Sequence, residues 1–413
     1  MSSFGASTAA HTSPLPAVAT GTEWRAEVGG IEVLFGLGAA AAVGELAREL
    51  GGRRALVVTD PGVRAAGHAD RAAAALGAAG VAARIFDAVI ENPTTREVAA
   101  GRDAAARWGA DLVVALGGGS AMDCAKGINF LLTNGGRMED YRGFGHAPLP
   151  LLPAIGLPTT AGTGSEAQSY ALIAQAESHQ KMACGDRQAR FRIVVLDPSL
   201  LASAPRRAAA AAGLDALAHA VESLVCRAAN PVSRMLSREA WRLLEPSLLR
   251  HLAAPAEAGA AGGMLLGAHL AGAAIELSML GAAHACANPV SARHGVAHGV
   301  AVALMLPHVV RWNGAPAGDW PHEDGPAQAG PAGETLPAAA YATLAGCASS
   351  EMLAARLEEL RTAAGLPERL REVGVEAPAL RELAREAAQQ WTAGFNPRPA
   401  GEEALLHLYE QAF

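Results

Sequence analysis

From Ile31 to about Leu200 the chain alternates short apolar runs rich in Val, Ile and Leu with Ala-rich stretches in which polar positions recur at helical spacing. "RALVVTD" (54–60), "AARIFDAV" (82–89) and "ADLVVALGGGS" (110–120) predict buried parallel strands. "HADRAAAALGAAG" and "TTREVAAGRDAAARWG" predict the crossover helices between them. Strands and helices taking turns in this way specify an α/β fold with a parallel sheet, and place ligand sites at the C-terminal ends of the strands. After about Arg206 the strand signal nearly vanishes, and segments of Ala, Leu, Arg and Glu run to Phe413. They predict a second, all-helical domain. One Pro/Gly-rich stretch, "NGAPAGDWPHEDGPAQAGPAGETLP" (313–337), reads as a loop or insertion within it. The expected division is a flexible tail over 1–22, an α/β domain over 23–205 and a helical domain over 206–413.

Composition narrows the partners. The 413 residues are 51% hydrophobic and 18% charged, with a net charge of -7 and no lysine or arginine block. That balance supports a large core and offers no footprint for nucleic acid or an anionic membrane surface, so small molecules are the expected partners. Five scattered cysteines without a C-x-x-C pair argue against a disulfide framework and suit a reducing cytoplasm. The N-terminal stretch lacks the basic and apolar regions of a secretory signal. Ala258–Ile275 is long and uncharged enough to be weighed as a membrane span, but its Gly/Ala composition, with His269 inside and Glu276 after it, suits tight packing in a core.

Two glycine-containing loops suit a phosphate. "VVALGGGSAMDCAKG" passes from an apolar strand through three glycines and Ser120 into a predicted helix carrying Asp123 and Lys126. Glycines admit a phosphate close to the backbone, and the helix N-terminus offers unpaired N–H groups; the alternative is a bare turn, since neither G-x-G-x-x-G nor a Walker loop is present. "PTTAGTGSEA" (158–167) gathers hydroxyls, including Thr159, Thr160 and Thr163, into a second polar loop. Asp60 ends the "VVTD" strand where a carboxylate accepts hydrogen bonds from an adenosine ribose and repels a 2′-phosphate.

In "GLDALAHAVES", Asp215 and His219 lie four apart with Glu222 one turn further on, a polar stripe on an apolar helix. "GAAHACANPVSARHGVAHGVAVALMLPH" adds His284, His294, His298 and His308, with Arg293 as the one other charged group. Buried imidazoles require partners, and a divalent ion is one. One carboxylate and three imidazoles make an N₃O set suited to Zn²⁺ or Fe²⁺, although spacing alone leaves open which histidines join, since His294 and His298 are also four apart.

In these motifs the chain resembles the iron-containing (group III) alcohol dehydrogenases, through "VVTD", "ENPTT", "GGGSAMDCAKGI", "LPTTAGTGSE", "DALAHAVES", "HGVAVALMLPH" and "NPRPAGEEALLHLYEQAF". The resemblance covers nearly everything after the tail. It implies a Rossmann-like parallel-sheet nucleotide-binding domain followed by an all-α metal-binding domain, the dehydroquinate synthase-like fold, with the active site in the cleft between them. It implies Asp215, His219, His284 and His298 as metal ligands, Fe²⁺ or Zn²⁺ as the ion, and His298 over His294 because it opens the "HG" pattern. It further implies that Asp60, Asn92, Gly118, Gly119, Ser120, Thr159, Thr160 and Lys181 line the dinucleotide site, with Asp123 and Thr163 as further candidates from the two loops. Glu222 would be a neighbour of the metal helix, not a ligand. NAD(H) is expected over NADP(H), and a homodimer is expected.

The implied activity is reversible hydride transfer between a small primary alcohol or aldehyde and nicotinamide. The chain departs from the family at Asn288, where many members carry a histidine discussed as a proton relay. Asparagine cannot take a proton, so the relay is expected to fall to solvent, a cofactor hydroxyl or His294. Arg293 and His294 suggest a polar or anionic substrate end nearby, or else an exposed turn. Alternatives on the same fold are maleylacetate reduction, in which relatives dispense with metal, and a dehydroquinate synthase-like lyase.

Overall fold

The computed structural model describes residues 23–178, 180–316, 336–344, 346 and 349–413. The expected tail, most of the 313–337 stretch and Cys347 lie outside them.

Ten strands are present among the described residues: β1 (Trp24–Val28), β2 (Ile31–Phe35), β3 (Arg54–Val58), β4 (Ala82–Phe86), β5 (Leu112–Gly117), β6 (Gly143–Phe144), β7 (Ala154–Pro158), β8 (Tyr170–Ala174), β9 (Lys181–Gly185) and β10 (Ile193–Leu196). Seven form one sheet in the order β1-β2-β10-β7-β5-β3-β4, parallel except for the β1–β2 hairpin. Every residue of β5 and β7 is buried, as expected for central strands covered by helices on both faces. The chain turns from β3 outward to β4 and then back across to β5, so the topological switch point falls between the C-terminal ends of β3 and β5, where such sheets bind ligands.

The crossover helices form where their sequences supply ends. Thr95–Trp108 opens on a Thr94/Glu97 capping box and closes on Gly109 in the left-handed conformation. A second sheet of three strands, β6-β9-β8, carries no comparable sequence announcement: its strands are short, and β6 has only two residues.

From Arg206 onward the described chain is helical. Two helices, Arg206–Val225 and Ala258–Glu276, are long and apolar enough to cross a membrane, where sequence reading singled out the latter alone. In each, 83% of the most apolar window is buried inside the fold, so neighbouring helices occupy the surface that lipid would need.

Gly164 and Gly272 join the two halves. Gly164, at φ +61°, sits in the polar loop after β7, and Gly272 sits in the Ala258–Glu276 helix. A Cβ on Gly272 would lie 2.6 Å from the Gly164 carbonyl oxygen, and one on Gly164 would lie 2.5 Å from the Gly272 Cα. Beside them Glu276 accepts hydrogen bonds from the Ser169 N–H (3.0 Å), the Ser169 hydroxyl (3.1 Å) and the Arg190 guanidinium (3.1 Å to Nε). Because the glycine contact is backbone against backbone, no rotamer change relieves an added side chain. Gly272→Val is expected to destabilise the protein by about 1–3 kcal/mol. A thermal unfolding midpoint equal to that of the parent chain would contradict this packing.

Candidate metal centre and dinucleotide cleft

Asp215, His219 and Glu222 lie on one face of the Arg206–Val225 helix, and all are buried. His284 belongs to the first turn of Ala282–His294, and His298 begins His298–Asn313. These three helices bring three imidazoles to one carboxylate oxygen. Asp215 Oδ1 lies 3.3 Å from His284 Nε2, 3.5 Å from His219 Nε2 and 3.8 Å from His298 Nε2. The His219 and His284 rings stack at 4.8 Å.

Glu222 decides the protonation of this cluster. Its Oε2 accepts a hydrogen bond from His284 Nδ1 at 2.5 Å, and its Oε1 accepts the Ala283 N–H at 2.7 Å. Asn396 Oδ1 accepts the adjacent Ala282 N–H at 3.1 Å, so two open donors at the helix N-terminus are satisfied from other elements. With the Nδ1 hydrogen committed to Glu222, the neutral ring turns its Nε2 lone pair toward the Asp215 carboxylate. Neither Asp215 Oδ1 nor His284 Nε2 has a hydrogen-bond partner among the described residues. Two buried lone pairs facing each other require a cation or a proton between them.

Among the described residues, Asp215, His284 and His298 form the one group of donors compact enough to hold a metal ion. Donors about 2.1 Å from a tetrahedral ion stand about 3.4 Å apart, and the Asp215–histidine distances bracket that value. The electrostatics agree. Burial would raise the Asp215 carboxyl, but the imidazoles led by His219 hold it well below the usual carboxylate range. Burial pushes His298 down to about 3 and lowers His219, so both favour the neutral, ligating form. Burial opposes protonation of His284 too, but Glu222 and Asp215 outweigh it and raise the ring to about 9, so a proton fills the gap when no ion does.

The other imidazoles and their neighbours lie elsewhere. His308 is outside the group and is pushed down to about 4 by burial and by Arg311. His294 ends its helix with a buried Nε2 that has no hydrogen-bond partner among the described residues. Asn288 donates to Gln390 Oε1 at 3.1 Å. Arg293 is held by Glu382 and Glu386 on the surface, which favours the exposed-turn reading over an anion-binding one.

Across the cleft, the glycine loop follows β5 and the hydroxyl-rich loop follows β7, whose ends are paired at Gly117 and Pro158. Gly118 precedes the Gly119–Asn134 helix, which has no side-chain cap. A Cβ on Gly119 would lie 2.6 Å from Thr163 Oγ1, and one on Gly118 would lie 3.1 Å from Thr160 Oγ1, so only glycine lets the loops approach this closely. Asn92, the one non-glycine residue at positive φ (54°) among those described, donates its N–H to Ser120 Oγ at 3.2 Å. Asp60 stands at the end of β3; its Oδ1 caps the next helix through Val63 N–H, and its Oδ2 faces Gly117. Thr159 is buried and donates its N–H to the Gly117 carbonyl. Lys181 is exposed, and its ammonium is lowered by the surrounding protein and supported by Asp123 and Asp215. Asp123 lies beneath the loop: its carboxylate accepts the Leu172 N–H, and burial raises it to about 6 against the opposing effect of Lys126. Lys126, buried, donates to the carbonyls of Ser165 (2.7 Å), Gln168 (2.8 Å) and Tyr170 (2.7 Å), fixing the segment between the loop and β8.

Sequence reasoning named the side chains that converge on Asp215 but missed the work of Glu222, Gln390, Asn396 and Lys126. For Glu222 a signal existed, its place in the Asp215/His219 stripe. For the others, the partners are distant in sequence.

Residues 31–198 match the family Iron-containing alcohol dehydrogenase, and residues 209–413 match the Fe-containing alcohol dehydrogenase family, C-terminal. The chain is 34% identical over 381 residues to the 1,3-propanediol dehydrogenase of Klebsiella pneumoniae, covering 92% of this chain and 96% of the relative. It is 30% identical over 380 residues to the NAD-dependent methanol dehydrogenase of Bacillus methanolicus, covering 92% and 97%. The structure of sulfoacetaldehyde reductase from Bifidobacterium kashiwanohense in complex with NAD⁺ superposes with a TM-score of 0.81 at 25% identity, over 95% of this chain and 99% of that one.

Glu222→Gln is expected to weaken divalent-metal affinity about 10- to 100-fold, because the ring it orients loses its charged acceptor. Competition against a chromophoric chelator measures this, and affinity matching that of the parent chain would refute the orienting role.

Proposed function

The chain belongs to the iron-containing alcohol dehydrogenase family, and on that premise we propose that Asp215, His219, His284 and His298 hold its divalent metal while Asp60, Asn92, the Gly118–Ser120 turn, Thr159, Thr160, Thr163 and Lys181 receive its nicotinamide dinucleotide. The protein is an NAD(H)-linked, metal-dependent alcohol dehydrogenase and aldehyde reductase. The observation that carries the site assignment is the approach of three imidazole nitrogens to Asp215 Oδ1.

When bound, the metal supplies Lewis-acid polarisation of the substrate oxygen, and the nicotinamide accepts or returns the hydride. The chain's residues do the rest. Glu222 holds His284 in the tautomer whose Nε2 faces the donor cluster. The open N–H groups before Gly119–Asn134 and the hydroxyls of Thr160 and Thr163 suit a pyrophosphate. Lys126 and Asp123 brace this wall from beneath. The Gly162 backbone lies against His219, so the hydroxyl-rich loop adjoins the metal helix.

Asn288 cannot accept the proton released by alcohol oxidation, and its amide is engaged by Gln390. We assign that proton to solvent in the cleft, with His294 as the ring to be tested. We also propose the division at 205/206, the location in the cytoplasm and a homodimeric assembly. The intact donor set speaks against a metal-independent maleylacetate reductase.

Protein purified without chelator is expected to hold about one metal ion per chain and to oxidise NADH with small aldehydes; Asp215→Ala is expected to lose both properties. Elemental analysis paired with NADH absorbance reads this, and a metal-free variant with undiminished activity would sink the ligand assignment. Asp60→Ser keeps an acceptor for the Val63 cap and removes the charge. It should shift the NADPH-to-NADH ratio of kcat/KM toward NADPH by roughly tenfold or more; an unchanged ratio would place the ribose elsewhere.

A further inference from the structure

Three large apolar side chains stand exposed around Tyr170: Phe144 at 47%, Leu172 at 44% and Trp391 at 47%. Strand alternation explains their grouping. In the β8–β9 ladder Tyr170 pairs with Gly185, Leu172 with Ala183 and Ala174 with Lys181, so Tyr170, Leu172 and Lys181 share one face. Ala171, Ile173, Met182 and Cys184 fill the opposite face and are buried. The Phe144 ring, on β6, packs on Tyr170 across Gly185 of the intervening β9 at 5.6 Å, and the Trp391 ring reaches Tyr170 from the helical half at 5.8 Å.

Residues at both ends of this surface are tied to the neighbourhood of Asp215 and His284. At one end, Lys181 lies near enough to Asp215 for that carboxylate to support its charge. At the other, Trp391 follows Gln390, which is bonded to Asn288 one helical turn beyond His284. Lys181, on this same face, is the cation assigned above to the dinucleotide, while Arg190 is committed to Glu276, Arg293 to Glu382 and Glu386, and Lys126 to three carbonyls. An exposed apolar wall beside a polar reactive centre is the character of a groove that receives an apolar group.

We propose that Phe144, Tyr170, Leu172 and Trp391 form the subsite for the substrate's tail, and that the enzyme selects primary alcohols and aldehydes carrying an uncharged aromatic or branched alkyl tail over those ending in an anion. The inference rests on the dehydrogenase reading for the hydroxyl end alone. Trp391 is the selecting residue, because it alone of the four comes from the helical half and sets the width of the groove.

The test uses the metal-loaded full chain with NAD⁺, titrated calorimetrically with benzyl alcohol, ethanol and glycolate, in parallel with kcat/KM for each. Benzyl alcohol is expected to bind about tenfold or more tighter than glycolate. Trp391→Ala should lower the benzyl-alcohol-to-ethanol ratio of kcat/KM by about tenfold, Leu172→Asn should lower it in the same direction, and Trp391→Phe should retain most of it. Glycolate binding as tight as benzyl alcohol, or a ratio unmoved by both Trp391→Ala and Leu172→Asn, would overturn the proposal. So would Trp391→Ala converting a sedimenting dimer to monomer, since a second copy would then cover the wall. Absence of turnover with every alcohol would instead count against the dehydrogenase reading, and the calorimetric ranking would still decide the tail.

Discussion

A buried carboxylate facing three imidazole nitrogens, which requires a cation or a proton in the space between, is the arrangement to which the rest of the structure answers. Left alone, Asp215 would raise its own pKa and shed its charge in so apolar a setting. It stays ionised because His219, His284 and His298 surround it, and they stay oriented because three helices converge at that point. A cation among them would offset the cost of burying these groups.

Orientation at that centre comes from one remote acid. Glu222 uses one oxygen to hold the His284 ring and the other to satisfy the start of the helix that carries it. Ring geometry and helix position are therefore not independent, and a change at Glu222 is felt in both. The same economy appears on the sheet side, where Lys126 gathers three carbonyls and so fixes the segment running from the hydroxyl-rich loop to the apolar face of β8.

The two halves meet through contacts that tolerate little change. Gly164 and Gly272 touch backbone to backbone, and Glu276 reaches from the helical half to Ser169 and Arg190 on the sheet half. The spacing of the two halves follows from these contacts, and with it the distance between the glycine and hydroxyl-rich loops and the Arg206–Val225 helix. The Tyr170–Trp391 ring contact adds a further link between the two halves.

Much of this was legible in the residues. Apolar runs ending in Asp60 and in Gly117–Gly119 specified parallel strands and their loops because strand burial and turn chemistry are local properties. The i, i+4 spacing of Asp215 and His219 put both on one helical face for the same reason, and the motifs as a set identified the family. What remained undecided were choices made by distance in space. Sequence spacing allowed His294 as readily as His298; only the packing of His298–Asn313 against Arg206–Val225 brought one of them to Asp215. The pairing of Glu222 with His284, of Asn288 with Gln390 and of Trp391 with Tyr170 joins residues 62, 102 and 221 positions apart, beyond the reach of any local pattern. The sequence determined which chemical groups are present and on which element each lies, because helix and strand periods are local. Tertiary structure decided which of them stand close enough to share a proton or an ion, because those interactions act only across a few ångströms of space.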